Sequence, residues 1–219
     1  YVQKDENDEQ KHFIIEKTTI TGNKVTENGG AVLLVNQGLT CISTTFKNCV
    51  TSNGGGGSIF IYNKDPAKTN KVSFKNLVIQ SCEALFGGGA FIYSISEESV
   101  VMIESCRFIS NSINKEGKNG LVGGSALYIV VKDGQVNDCF FSKNKGGSII
   151  KVSNNFDTKP EESYMMMLQK DVYSSSVLIN KCSFELSENS TGSLLYYVEK
   201  QTSRFDVNDF VFADFEGKS

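Results

Sequence analysis

The stretch Gly87–Tyr93, GGGAFIY, decides the fold, because it sets three glycines directly before an apolar run of strand-forming residues. The same join recurs as GGAVLLV from Gly29, GGSIFIY from Gly56, GGSALYI from Gly123, GGSIIKV from Gly146 and, in weaker form, TGSLLYYV from Thr191. A phrase written this often is an internal repeat, and the repeat settles the architecture before any local reading does.

A second phrase precedes each glycine join: a short apolar strand, two polar residues, an apolar-x-apolar triplet, then a small or polar residue three positions on. The copies are FII-EK-TTI-TGN from Phe13, LTC-IS-TTF-KNC from Leu39, VSF-KN-LVI-QSC from Val72 and VMI-ES-CRF-ISN from Val101. They continue as GQV-ND-CFF-SKN from Gly134, VLI-NK-CSF-ELS from Val177 and FDV-ND-FVF-ADF from Phe205. The triplets end on Ile20, Phe46, Ile79, Phe108, Phe141, Phe184 and Phe212, the uneven spacing of a solenoid with variable connectors.

The apolar residues alternate over two or three positions, are rich in Val, Ile, Phe and Tyr, and show no helical period, so the units are strands. The two prolines, Pro66 and Pro160, fall outside them, as strand pairing requires. Three short strands per rung, with polar pairs such as Asn137-Asp138 at the bends, describe a parallel β-helix of about seven rungs over residues 13–219. Successive rungs lie about 4.8 Å apart, so equivalent side chains stack into ladders. The residues from Ile20 to Phe212 that end the triplets form an inward spine.

A neighbouring ladder reads Thr18, Thr44, Leu77, Cys106, Cys139, Cys182, Phe210, and the turn after the spine reads Asn23, Cys49, Cys82, Asn111, Asn144, Ser187, Phe215. Five of the six cysteines therefore stand beside another cysteine one rung away. Cys106, Cys139 and Cys182 read as small buried thiols of a narrow core. For Cys49 and Cys82, at a bend, a disulfide and two free thiols both fit the spacing.

The glycines read as corners between sheets, where positive φ is needed and successive corners approach too closely for side chains. A phosphate-cradling loop would need a following helix and a Lys-Ser/Thr pair, which are lacking.

The paired motifs GGAΦ (Φ apolar) and FxxN, present as GGAV at Gly29, GGAF at Gly88, GGSI at Gly56 and Gly146, FISN at Phe108 and FSKN at Phe141, resemble the repeats of chlamydial polymorphic membrane proteins. Related β-helical surface proteins of bacteria and protists share them. The resemblance implies a right-handed coil, export to the cell surface and a role in adhesion, with host or neighbouring-cell surface molecules as partners. The motif residues maintain rungs and carry no chemistry.

Composition narrows the function further. A net charge of −3 offers no basic stripe for nucleic acid. The apolar runs fall far short of the roughly 20 residues of a transmembrane helix. One histidine, His12, and the absence of CxxC pairs argue against a zinc site and against a catalytic cysteine, and no cofactor is expected. The charged leader YVQKDENDEQKH, residues 1–12, is too polar for the apolar part of a signal peptide, so a processed chain or part of a longer one is expected.

The same fold class carries polysaccharide lyases and hydrolases, whose sites need acids from adjacent rungs on one face. Here Glu16, Glu104, Asp138 and Asp209 fall in or beside the bends, Asp138 without acidic neighbours in register, and Arg107 and Arg204 do not match in position. The expectation is a non-enzymatic extracellular protein. The alternatives are a subunit stacking end to end with its own copies into a filament, or a polysaccharide-active enzyme.

Connectors at 63–71, 112–122 and 153–172 are expected to leave one face of the solenoid and to hold partner contacts, and Tyr164 with the run Met165, Met166, Met167 reads either as a candidate contact surface or as a cluster folded back over the helix flank. The sequon at Asn189 is a glycosylation candidate.

Overall fold

A computed structural model describes residues 11–65, 68–95, 98–114, 124–153, 176–185, 195–198, 204–208 and 211–212. Among these residues there is no helix, and every strand pairing is parallel. The chain runs through four sheets in turn and then returns to the first, an arrangement compatible with a parallel β-helix.

Sheet I contains His12–Glu16, Gly38–Ile42, Val72–Lys75, Val100–Glu104, Asp133–Asn137, Ser176–Asn180 and Arg204–Asn208. Sheet II contains Thr19–Thr21, Thr45–Lys47, Val78–Gln80, Arg107–Ile109, Phe140–Ser142, Ser183–Glu185 and Val211–Phe212. Sheet III has four two-residue strands, Lys24–Val25, Val50–Thr51, Glu83–Ala84 and Ser112–Ile113. Sheet IV follows the glycines, with Val32–Val35, Ile59–Asn63, Ala90–Ser94, Leu127–Val131, Ile150–Ser153 and Leu195–Val198. The expected three strands per rung thus become four in the early rungs, since the segment after the spine straightens for two residues before the glycine corner.

The polar pairs are tight corners. Their second residues, Lys17, Ser43, Asn76, Ser105, Asp138 and Lys181, all sit in the left-handed region with φ of 48–55°. A second such column, Asn48, Ser81, Ser110 and Lys143 at φ 54°, closes the sheet II strands. Each left-handed residue costs about 1–2 kcal/mol. The corner N–H groups stay in the ladder, which offsets that cost: Ser105 N donates to Asn137 O at 3.0 Å and Asp138 N to Asn180 O at 3.1 Å.

At Gly56 and Gly57, entering sheet IV, a side chain would run into backbone, although the Gly57 column continues as Ser125 and Ser148 in later rungs. Gly56 has φ +67°, and a Cβ there would meet the carbonyl of Ile59 in its own rung. A Cβ on Gly57 would lie on the carbonyl oxygen of Gly88 in the next rung. Both reasons expected for glycine, positive φ and close approach, are therefore present, but on successive residues.

The spine is in register throughout. Ile20 pairs with Phe46, then Ile79, Phe108, Phe141, Phe184 and Phe212. Phe108, Phe141 and Phe184 stack with centroids 5.0 and 5.1 Å apart and planes within 6° and 11° of parallel. Such stacking adds about 0.5–1.5 kcal/mol per pair beyond burial. Where the inward position of sheet I is Gly134, the Val131 side chain fills the vacated space.

Candidate functional site

The exterior divides into two kinds of surface. In sheets I and II most strands alternate, with buried residues inward and half-buried or exposed residues outward, while Ser142 on sheet II is buried beside Phe141. One outward column of sheet I runs Ile14, Thr40, Ser73, Met102, Gln135, Leu178. The next holds Lys75 and Glu104, whose charged atoms lie 3.7 Å apart. On sheet II the Arg107 guanidinium stands 5.7 Å from the centroid of Phe140 in the following rung. This face mixes apolar, amide and charged groups and remains in contact with solvent.

Sheet IV is different, because its strands Ile59–Asn63, Ala90–Ser94, Leu127–Val131 and Ile150–Ser153 are buried on both faces. Ile59, Ile61, Ala90, Ile92, Leu127 and Ile129 belong to the main core. Phe60, Tyr62, Phe91, Tyr93, Tyr128 and Val130 alternate with them and form a second apolar cluster with Phe86 and Ile95. Phe86 packs edge-on against Phe91 and Tyr128 at 5.0 and 6.2 Å, and Phe60 stacks on Phe91 at 4.8 Å. The Lys151 ammonium lies 4.7 Å from the Tyr128 centroid. The sequence carried the signal in unbroken apolar runs, IFIY, AFIY and LYIVV, which mark strands covered on both faces.

The connectors do not all leave from one place. Asn63 is the last residue of a sheet IV strand, Ser112 and Ile113 form a sheet III strand, and Ser153 ends another sheet IV strand. The first and third connectors therefore join sheet IV to sheet I, and the second joins sheet III to sheet IV. Tyr164, Met165, Met166, Met167 and Asn189 lie outside the described residues.

The cysteine columns are assembled as the register requires. Phe140 N donates to Cys106 O and Ser183 N to Cys139 O, both at 2.9 Å, while Glu83 N donates to Cys49 O at 3.0 Å. All six cysteines are buried and stand as free thiols, Cys49 and Cys82 among them. Side by side on parallel strands, their Cα–Cβ vectors point the same way, which suits hydrogen bonding between thiols better than a bond between sulfurs. The Cys82 thiol hydrogen-bonds Cys49, holding Cys49 down to about 7 and pushing Cys82 up, with burial adding to the rise. Cys139, between Cys106 and Cys182, is pushed up by both, and Cys182 is held down by its hydrogen bond from Cys139. Cys41, on sheet I, is pushed up to about 12, first by burial and then by Cys106.

Among the described residues the acids of sheet I do not adjoin. The column of Glu16 and Glu104 reads Glu16, Ile42, Lys75, Glu104, Asn137, Asn180, so no two carboxylates adjoin. Among the described residues no group of three or more His, Cys, Asp or Glu converges on a point, and no helix is long and apolar enough to cross a membrane.

The class that fold and surface define is an all-β protein of stacked parallel sheets with one solvent-facing flank and one doubly buried flank. No family model, no curated protein and no solved structure matches the chain.

Proposed function

We propose that the chain is a non-enzymatic, extracellular or cell-surface protein, a right-handed single-stranded β-helix of about seven rungs that acts as an adhesive or structural element. The observation that carries this reading is the outward face of sheet I, where Thr40, Ser73, Met102, Gln135 and Leu178 stand in register on successive rungs as a mixed, half-buried surface. Such a surface, fixed by a dry core, presents many contacts with little ordering cost, which suits binding to molecules on a host or neighbouring cell.

Right-handedness is favoured because crossovers between parallel strands of one sheet are right-handed in about 98% of cases. The motif resemblance to polymorphic membrane proteins points the same way. Its asparagines occupy rung-building positions here: Asn111 and Asn144 are fully buried and hydrogen-bonded along the column.

A filament subunit is the second reading, favoured by one feature. His12–Glu16, Thr19–Thr21, Lys24–Val25 and Val32–Val35 each stand last in their sheets among the described residues, and Ile14 and Val25 there are 64% and 39% exposed. A polysaccharide-active enzyme is disfavoured by acids that do not adjoin.

Beads coated with the purified chain and applied to cultured cells test the first reading, with saturable attachment blocked by soluble chain as the expected result. Size measurement at rising concentration tests the filament, and polysaccharide turnover tests the enzyme. Turnover without attachment would overturn the proposal.

A further inference from the structure

Cys106, Cys139 and Cys182 form an unbroken column on three successive rungs, and Cys49 and Cys82 form another on two. Each is at most 1% exposed. Within each column the cysteines stand in register on neighbouring rungs, so their side chains project in the same direction about one rung repeat apart.

The geometry excludes one kind of metal and fits another. A tetrahedral zinc site needs four ligands around one point, and no such convergence is found among the described residues. A two-coordinate ion needs only two sulfurs in line. Metal–thiolate bonds are about 2.3 Å, so an ion midway between two sulfurs spans about 4.6 Å, close to the rung repeat of about 4.8 Å.

Most other polar neighbours of these sulfurs are carbonyl oxygens, joined by the Ser58 hydroxyl at Cys82 and the Asp138 carboxylate near Cys182. Cys106 Sγ donates to Glu104 O at 3.2 Å, Cys139 Sγ approaches Asn137 O and Ile103 O at 3.2 and 3.7 Å, and Cys182 Sγ approaches Asn180 O and Val136 O at 3.4 and 3.6 Å. Cys82 Sγ lies 3.4 Å from Gln80 O and 3.9 Å from Phe46 O, and Cys49 Sγ lies 3.6 Å from Lys47 O. A ring of acceptors suits a cation and opposes an added negative charge.

We propose that the two cysteine columns bind soft monovalent cations of the copper(I) and silver(I) class, each held linearly between the sulfurs of neighbouring rungs. Thiolate and thiol sulfur are the ligands these soft ions prefer. On binding, one S–H bond breaks and its proton leaves to solvent, one sulfur–metal bond replaces it, and the adjacent thiol donates a lone pair. The site gains one positive charge and loses one, so the dry core stays neutral, and no oxidant is consumed. The triple column takes two ions and the pair takes one.

Silver(I) alone is the probe, added to the whole chain under anaerobic conditions and counted by native mass spectrometry. Wild type is expected to bind three ions, Cys139→Ala one, because its remaining column sulfurs are two rungs apart, and Cys41→Ala three, because Cys41 is flanked by Ile15 and Phe74. Alkylation of wild type in mild denaturant gives a readout independent of the variants. Silver is expected to protect the five column cysteines and leave Cys41 reactive. Equal loss of binding in Cys139→Ala and Cys41→Ala, unchanged binding in Cys139→Ala, or equal protection of all six thiols would overturn the proposal.

Discussion

Asn111 donates from Nδ2 to Oδ1 of Asn144 at 3.1 Å, and the same oxygen accepts the Asn111 backbone N–H at 3.0 Å. Asn111 Nδ2 also reaches Ile79 O, Asn144 Nδ2 reaches Phe108 O, and Asn111 Oδ1 accepts from Cys82 N. Two side chains thus serve four backbone groups on two successive rungs at a buried corner.

Asn144→Ala leaves the Asn111 N–H without a partner inside the core and removes one of the donors to Phe108 O. A loss of about 1–3 kcal/mol is expected in denaturant unfolding, the cost of one orphaned buried group. Asn23, exposed in the same column, provides the control, and Asn23→Ala is expected to change stability by no more than about 0.5 kcal/mol.

The glycine corner predicts a contrast between two alanine substitutions. Gly57→Ala places a methyl on the Gly88 carbonyl and 2.7 Å from Glu83 N, all backbone, so the rungs must separate. Failure to fold, or a loss above about 4 kcal/mol, is expected. Gly22 has φ +75° with open space around it, so Gly22→Ala is expected to cost only about 1–2 kcal/mol, and Gly22→Asn less. Soluble yield and unfolding midpoints of the three variants check this.

The doubly buried flank makes an outward residue behave as core. Phe91 is 0% exposed although it points away from the main core. Phe91→Ala is expected to cost about 3–5 kcal/mol, as for an internal aromatic. Met102→Ala, on the solvent-facing flank, is expected to cost under about 1 kcal/mol. Similar small losses from both would show that sheet IV has no second core.

Cys41 sets a pH dependence with a defined sign. Its thiol is raised from 9.0 to about 12 in the fold, so the folded chain keeps a proton that the unfolded chain releases. Its contribution is fully present below pH 9 and is lost as pH rises through about 12, at about 1.4 kcal/mol per pH unit. Urea midpoints measured from pH 8 to 11 are expected to fall less steeply in Cys41→Val than in wild type. Parallel slopes would remove Cys41 as a cause.

Much of this was readable in the chain because parallel stacking repeats each side chain in the same direction. The spine from Ile20 to Phe212 and both cysteine columns follow from spacing alone. Sheet III was not readable, since strands as short as Lys24–Val25 and Glu83–Ala84 are too brief to show a period. The redox state of Cys49 and Cys82 was also hidden, because a rung repeat fits either a sulfur–sulfur bond or stacked thiols. The second core was written in IFIY and AFIY but is separable from a single-faced strand only by noticing that alternation fails there.

The measurement closest to the central claim is adhesion by a chain altered only on its solvent-facing flank. Thr40→Lys, Met102→Lys and Leu178→Lys together recharge three positions of one outward column without touching the core. Beads carrying this variant are expected to lose attachment to cells that bind wild-type beads, while its unfolding midpoint stays within experimental spread of wild type. Undiminished attachment by the folded triple variant would contradict the account.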